Sequence, residues 1–146
     1  MRLLTIVAAA FLASCGSSGP VARDGTAETW YSQAVDQLAA LNREAESDFA
    51  NGKSDQAAAL IEKGKPLETK LLSVSHPTLG AVEALSDRDQ LYGRMLLSNR
   101  HYGWARLMFQ KNLARWKYWK PQTPDTERRF KDAQSAIEEC DRHLDQ

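Results

Sequence analysis

Few side chains in this 146-residue sequence are of types that do chemistry, and fewer still stand at useful spacings. Cys140 and His143 lie three residues apart, so one helical face would present a thiolate and an imidazole to a metal. A structural zinc normally takes four ligands, and neither His76 nor His101 belongs to a second cluster. A cysteine nucleophile needs an exposed, activated sulfur. Cys140 instead falls in the apolar stripe Phe130, Ala133, Ile137, Cys140, Leu144, where a free cysteine acts as a small hydrophobe. Glu44 and Asp48 stand one helical turn apart on a polar face, and nothing marks them as carboxylates flanking a cleft. GxSxG, HExxH and phosphate-binding glycine loops are all missing from the sequence. No catalytic residue, metal set or cofactor is assigned, and the expectation is a protein that is not an enzyme.

Binding chemistry is better represented. The chain carries 19 basic and 19 acidic side chains, but they are sorted along it. Residues 24–62 hold eight acids and two bases, whereas residues 90–124 hold seven bases and no acid. Either the acidic part packs beside the basic part, or the bases form a surface for lipid phosphates, lipopolysaccharide or an acidic partner. At 100° per residue, Tyr102, Ala105, Phe109, Leu113 and Trp116 make a core face. The other side carries Trp104, Leu107, Lys111, Arg115 and Tyr118. Trp, Tyr and Arg anchor many interfaces, and tryptophan with bases also suits a membrane surface. Trp104, Lys111, Arg115 and Tyr118 are therefore the candidate partner-binding residues. Nucleic acid is not expected, because no recognition-module signature is present.

The elements that would position these residues begin after an apolar N-terminal run. Met1-Arg2 precedes Leu3 to Leu12, about half the roughly twenty apolar residues that a bilayer span needs. That pattern fits the core of an export signal. It is followed by Leu12-Ala13-Ser14-Cys15, which resembles the bacterial lipobox. The resemblance implies a signal peptide over residues 1–14 and a Cys15 that is acylated rather than paired with Cys140. Two or three acyl chains, at about 0.8 kcal/mol per buried methylene, would anchor the chain to the membrane effectively for good. With Gly16 and not Asp after the cysteine, lipoprotein sorting implies the outer membrane, facing the periplasm, if the host is Gram-negative. Residues 15–26 show no apolar periodicity and read as a tether, roughly 20 Å long as a flexible coil.

Residues 27–146 read as one all-α domain: antiparallel helical hairpins stacked as a short array or bundle, closed by a C-terminal helix. No segment alternates like a strand. The first helix is expected from about Ala27 to Asn51, capped by Thr26 and stopped by Gly52. Ser54 starts a second, which Gly64-Lys65-Pro66 should break or kink. A third segment spans about Thr78 to Asn99, and Ser86-Asp87-Arg88-Asp89 resembles a capping box that could divide it. Two more helices follow, from about His101 to Lys120 and from Pro124 to about His143.

A shift of 48 residues places Ala50-Asn51 on Ser98-Asn99, Ala57 on Ala105, Ile61 on Phe109, Lys63 on Lys111 and Ala45 on Gly93. The second unit, with Tyr92-Gly93, Leu96, Tyr102, Ala105 and Phe109, resembles a tetratricopeptide repeat. It departs from that family at Asp89, where a tryptophan is usual, at Asn112 and at Lys117. The resemblance implies a helical adaptor, tied to the membrane by its lipid and binding another envelope protein. The alternatives are a binder of lipid headgroups or cell-wall polymer through the basic aromatic patch, and a cell-wall-acting enzyme.

Overall fold

Helix ends fall at the punctuation residues, with exceptions at Pro66 and Ser86. The computed structural model describes residues 25–145; the expected signal, Cys15 and the tether up to residue 24 lie outside the described residues. After a short 3-10 turn (Gly25–Ala27) come α1 (Thr29–Ala50), α2 (Ser54–Leu72), α3 (Leu79–Ser98), α4 (Tyr102–Tyr118) and α5 (Pro124–Leu144). The protein is all-α, with no strand among the described residues. Thr26, expected to cap α1, sits in the 3-10 turn, and Glu28 occupies the cap position. The Thr78 hydroxyl accepts from the Ala81 N–H at the start of α3. At α5, Thr123 and Thr126 form a reciprocal capping box around Pro124 in the first turn, where its missing N–H costs nothing.

Pro66 does not break α2, which runs through it unbroken. The carbonyl it deprives of a donor belongs to exposed Glu62, where water can serve. Buried Ile61 and Leu71 hold the helix on either side. Nor does Ser86 divide α3. Its hydroxyl accepts from the Trp116 indole N–H at 2.8 Å, and its carbonyl accepts from the Asn112 amide at 3.0 Å. The apparent capping box is a polar packing surface in mid-helix.

The helices alternate in direction. α1 and α2 form one hairpin and α3 and α4 a second, while α3 also packs on both helices of the first and α5 packs on α4. α1 and α3 run parallel: Tyr31 meets Thr78 near their starts, and Glu46 pairs with Arg94 near their ends. Three apolar clusters fill the stack. Tyr31, Leu38, Leu71 and Leu85 lie in the first, Ala45, Ile61, Leu91 and Met95 in the second, and Ala105, Phe109 and Cys140 in the third. A fully buried leucine such as Leu38 contributes about 1.5–3 kcal/mol. Small residues let the helices of each hairpin close. A Cβ on Gly93 would lie 2.6 Å from the Phe109 ring, and one on Gly64 would lie 3.0 Å from Leu38.

The 48-residue shift also relates the two hairpin turns, bond by bond. Asn51 (φ −88°, ψ 11°) and Asn99 (φ −89°, ψ 10°) share one conformation, as do Lys53 (φ −90°, ψ 58°) and His101 (φ −87°, ψ 58°). Between them, Gly52 and Arg100 are left-handed, with φ 75° and 62°. The Lys53 N–H donates to Asp48 O as that of His101 does to Leu96 O. These two turns lie at one end of the stack with the C-terminus of α5. Gly25, the α2–α3 connection and the α4–α5 connection lie at the other, which is called the loop end below.

Candidate functional site

The four residues singled out in the sequence do not form one patch. Trp104 and Tyr118 are exposed, at 65% and 74%. Fourteen residues along α4 set them roughly 21 Å apart at 1.5 Å per residue. Leu107, one turn from Trp104 and on the same side, is exposed as well. Arg115 and Lys111 are turned inward: the Arg115 side chain is only 14% exposed and that of Lys111 43%. Both reach the Asp89 carboxylate at 3.1 Å, and Lys111 also approaches Glu68 at 3.6 Å. Instead of ending in water or on a partner, their charges end on α3 and α2.

Asp89 is the hub of this junction. Arg88 lies 3.7 Å from it and 2.9 Å from Glu68, so two carboxylates from α2 and α3 hold three cations from α3 and α4. Arg115 also donates to the Asn112 side chain, and Asn112 reaches back to Ser86 O and Gln90. The Arg88 Nε has no acceptor, facing the bare Gly64 backbone instead. Buried charges of this kind confer little net stability against an apolar core, but losing one partner is expensive. The junction therefore fixes how the second hairpin seats on the first. Each charge in it has an opposite partner, the three cations exceeding the two carboxylates by one.

A second feature is a groove of about 370 Å³ between α1 and α3. Asn42, Arg43 and Glu46 line it from α1, and Asp87, Gln90 and Arg94 from α3. The Asn42 amide donates to Ala84 O at 2.7 Å, which fixes its side chain in the floor. The Glu46–Arg94 ion pair crosses the groove. Asp87 extends the polar surface to α5, where it accepts from Arg129. The residues of this groove were not singled out from the sequence. The signal was available in the repeat register, because Asn42 matches Gln90 and Glu46 matches Arg94 at the 48-residue shift.

The other chemistry-bearing side chains are engaged structurally. Cys140 is a free thiol buried against Ala105 and Phe109. Burial, followed by the neighbouring Glu139 and Asp141 charges, pushes its pKa above the ordinary thiol value and away from thiolate chemistry. His143 stacks on Tyr102 with ring centroids 4.4 Å apart. Among the described residues, no three His, Cys, Asp or Glu side chains converge as a metal set would require. No helix among them is long and apolar enough to cross a membrane. Compared with known proteins, the chain matches no family, no curated protein and no solved structure.

Proposed function

We propose that this chain is a lipid-anchored, non-catalytic adaptor of the cell envelope, tethered through Cys15 and holding another envelope protein on α4. The observation that carries the reading is the pair Trp104 and Leu107, large apolar side chains exposed one turn apart on one side of α4. They stand at the end of the stack away from Gly25, where the chain enters from the tether, so an anchored domain would hold them clear of the bilayer. The half-exposed stem of Lys111 borders the same stripe, its ammonium held on Asp89 and Glu68. Arg115 supports that stripe from inside by holding Asp89. The likeness of the second hairpin to a tetratricopeptide repeat agrees with an adaptor role. The outer-membrane placement rests on Cys15 and Gly16 in the sequence.

Photo-crosslinking in intact cells tests the contact. A crosslinker at position 104 should capture one defined envelope protein, lost with Leu107→Asp, while one at exposed position 134 should not. Identical products from both positions would dismiss the patch. Mass spectrometry of the mature N-terminus tests the anchor separately: a free Cys15 thiol or a Cys15–Cys140 bridge would remove it.

A further inference from the structure

Four lysines without acid partners stand at the loop end of the stack. Lys70 near the end of α2, Lys117 and Lys120 at the end of α4, and Lys131 in α5 form no ion pair with any described residue. Elsewhere Arg94, Arg106, Arg128 and Arg129 have carboxylates, while Arg43, Lys63, Arg100 and Arg142 also lack one, so what sets the loop end apart is the company its lysines keep. Lys117, Lys120 and Lys131 surround a hollow of about 260 Å³ floored by Trp116 and Phe130, with Glu127 as its one acid. Lys70 lies over the Trp30 ring at 4.2 Å, and Lys117 lies 5.6 Å from the Tyr118 ring. Exposed Leu72, Leu79 and Tyr118 stand at the same end.

The chain enters at this end too. Gly25 packs against Val74, just past α2, and Tyr31 near the start of α1 bonds Thr78 before α3. Only nine residues lie between Cys15 and Gly25. Ten residue steps span at most roughly 35 Å however the chain runs, so an anchor at Cys15 keeps the loop end near the headgroups. Ammonium groups over apolar and aromatic side chains are the chemistry that meets an anionic bilayer surface.

From this combination we infer that the loop end docks on anionic phospholipid headgroups, with Lys117, Lys120 and Lys131 seating a lipid phosphate above Phe130 and Lys70 binding beside them. This rests on Cys15 being the membrane anchor, and it orients the domain: the loop end faces the bilayer, and Trp104 and Leu107 face away. Docking would fix the orientation of the domain and hold the partner-binding stripe at a set height.

The test uses the full chain as Cys15→Ser, so that binding does not depend on acylation. Co-sedimentation is compared on phosphatidylcholine vesicles and on vesicles containing phosphatidylglycerol, with any contribution of the N-terminal apolar run common to both. The expected result is at least tenfold stronger partition onto the anionic vesicles, abolished by high salt. Lys117→Gln/Lys120→Gln/Lys131→Gln should remove that preference, while Arg100→Gln/Arg142→Gln at the opposite end should retain it, each variant having parental helicity by circular dichroism. Equal partition onto both vesicle types, or a preference that survives the triple change, overturns the inference. Either result leaves the acylation of Cys15 standing, just as an unacylated Cys15 found by mass spectrometry would sink the anchor and not this binding.

Discussion

The Arg115 guanidinium lies 3.1 Å from the Asp89 carboxylate, and this contact ties α4 to the middle of α3. Asp89 is almost wholly enclosed, at 1% side-chain exposure, and Lys111 and Arg88 share it. Asp89→Ala would leave Arg88 and Lys111 sharing Glu68 and Arg115 with no carboxylate. The expected loss is about 3–5 kcal/mol, the usual consequence of orphaning buried charge. For a domain of this size that is a fall in Tm of roughly 10–15 °C, read by thermal circular dichroism. Replacing Asp89, Lys111 and Arg115 together by leucine should recover much of it, because the charges are removed with their partner. A single Asp89→Ala variant as stable as the parent would show that the junction is not structural.

Gly93 and Phe109 close the second hairpin. A methyl group on Gly93 would meet the Phe109 ring at 2.6 Å, and that ring is fully buried and unable to swing aside. Gly93→Ala should cost about 1–3 kcal/mol through overpacking. Phe109→Leu in the same chain should relieve part of the clash, so the double variant should be less destabilised than the two single effects summed. Additive losses in urea unfolding would mean that the two residues do not press on each other.

Much of this architecture can be read from residue order, because period and punctuation are local. In the α5 stripe Ala133 and Cys140 are buried and Phe130 and Ile137 partly so, as the spacing implies, while Leu144 at the end of the helix is exposed; Pro124 opens the helix. What period alone does not carry is the destination of a long or polar side chain. Arg115 and Lys111 lie on the side of α4 away from Phe109, yet their flexible stems bring the charges back to Asp89. Ser86, Asp89 and Asn112 look solvated by residue type, but they are buried with partners: Asn112 and Trp116 bond Ser86, and Arg88, Lys111 and Arg115 pair with Asp89. Trp104 and Tyr118 share a stripe in projection, while the length of α4 separates them. Polar burial and axial distance are tertiary facts, and both lie outside a helical wheel.

Asp125 gives the fold a defined acid sensitivity at the start of α5. Hydrogen bonds from Arg129 and then Arg128 hold its carboxyl below the ordinary carboxylate range. Because the folded value is depressed, the stabilisation is present above the unfolded pKa and is lost as pH falls through the folded one. Asp125 is exposed, so the contribution is small, under about 1 kcal/mol once solvent screening is allowed for. Asp125→Asn should be slightly less stable than the parent at pH 7 and should converge with it below pH 3. Parallel Tm curves from pH 7 to pH 2.5 would rule out this linkage.

The paired turns give the sharpest test of the repeat. Gly52 and Arg100 occupy one position in two copies of the same turn, both left-handed. Glycine takes that conformation freely, whereas an L side chain is strained in it by roughly 1–2 kcal/mol. No atom lies within 4 Å of where a Cβ on Gly52 would stand, so conformation alone decides the outcome there. Gly52→Ala should therefore destabilise by about 1 kcal/mol, although the site is open. Arg100→Gly should do the reverse and raise stability by about 0.5–1 kcal/mol, since the relief of strain exceeds the entropy that a glycine adds to the unfolded chain. Both effects should appear as shifts of the urea midpoint at constant m. If Arg100→Gly lowers the midpoint instead, the arginine makes a compensating contact, and the two turns are alike in backbone but not in energy.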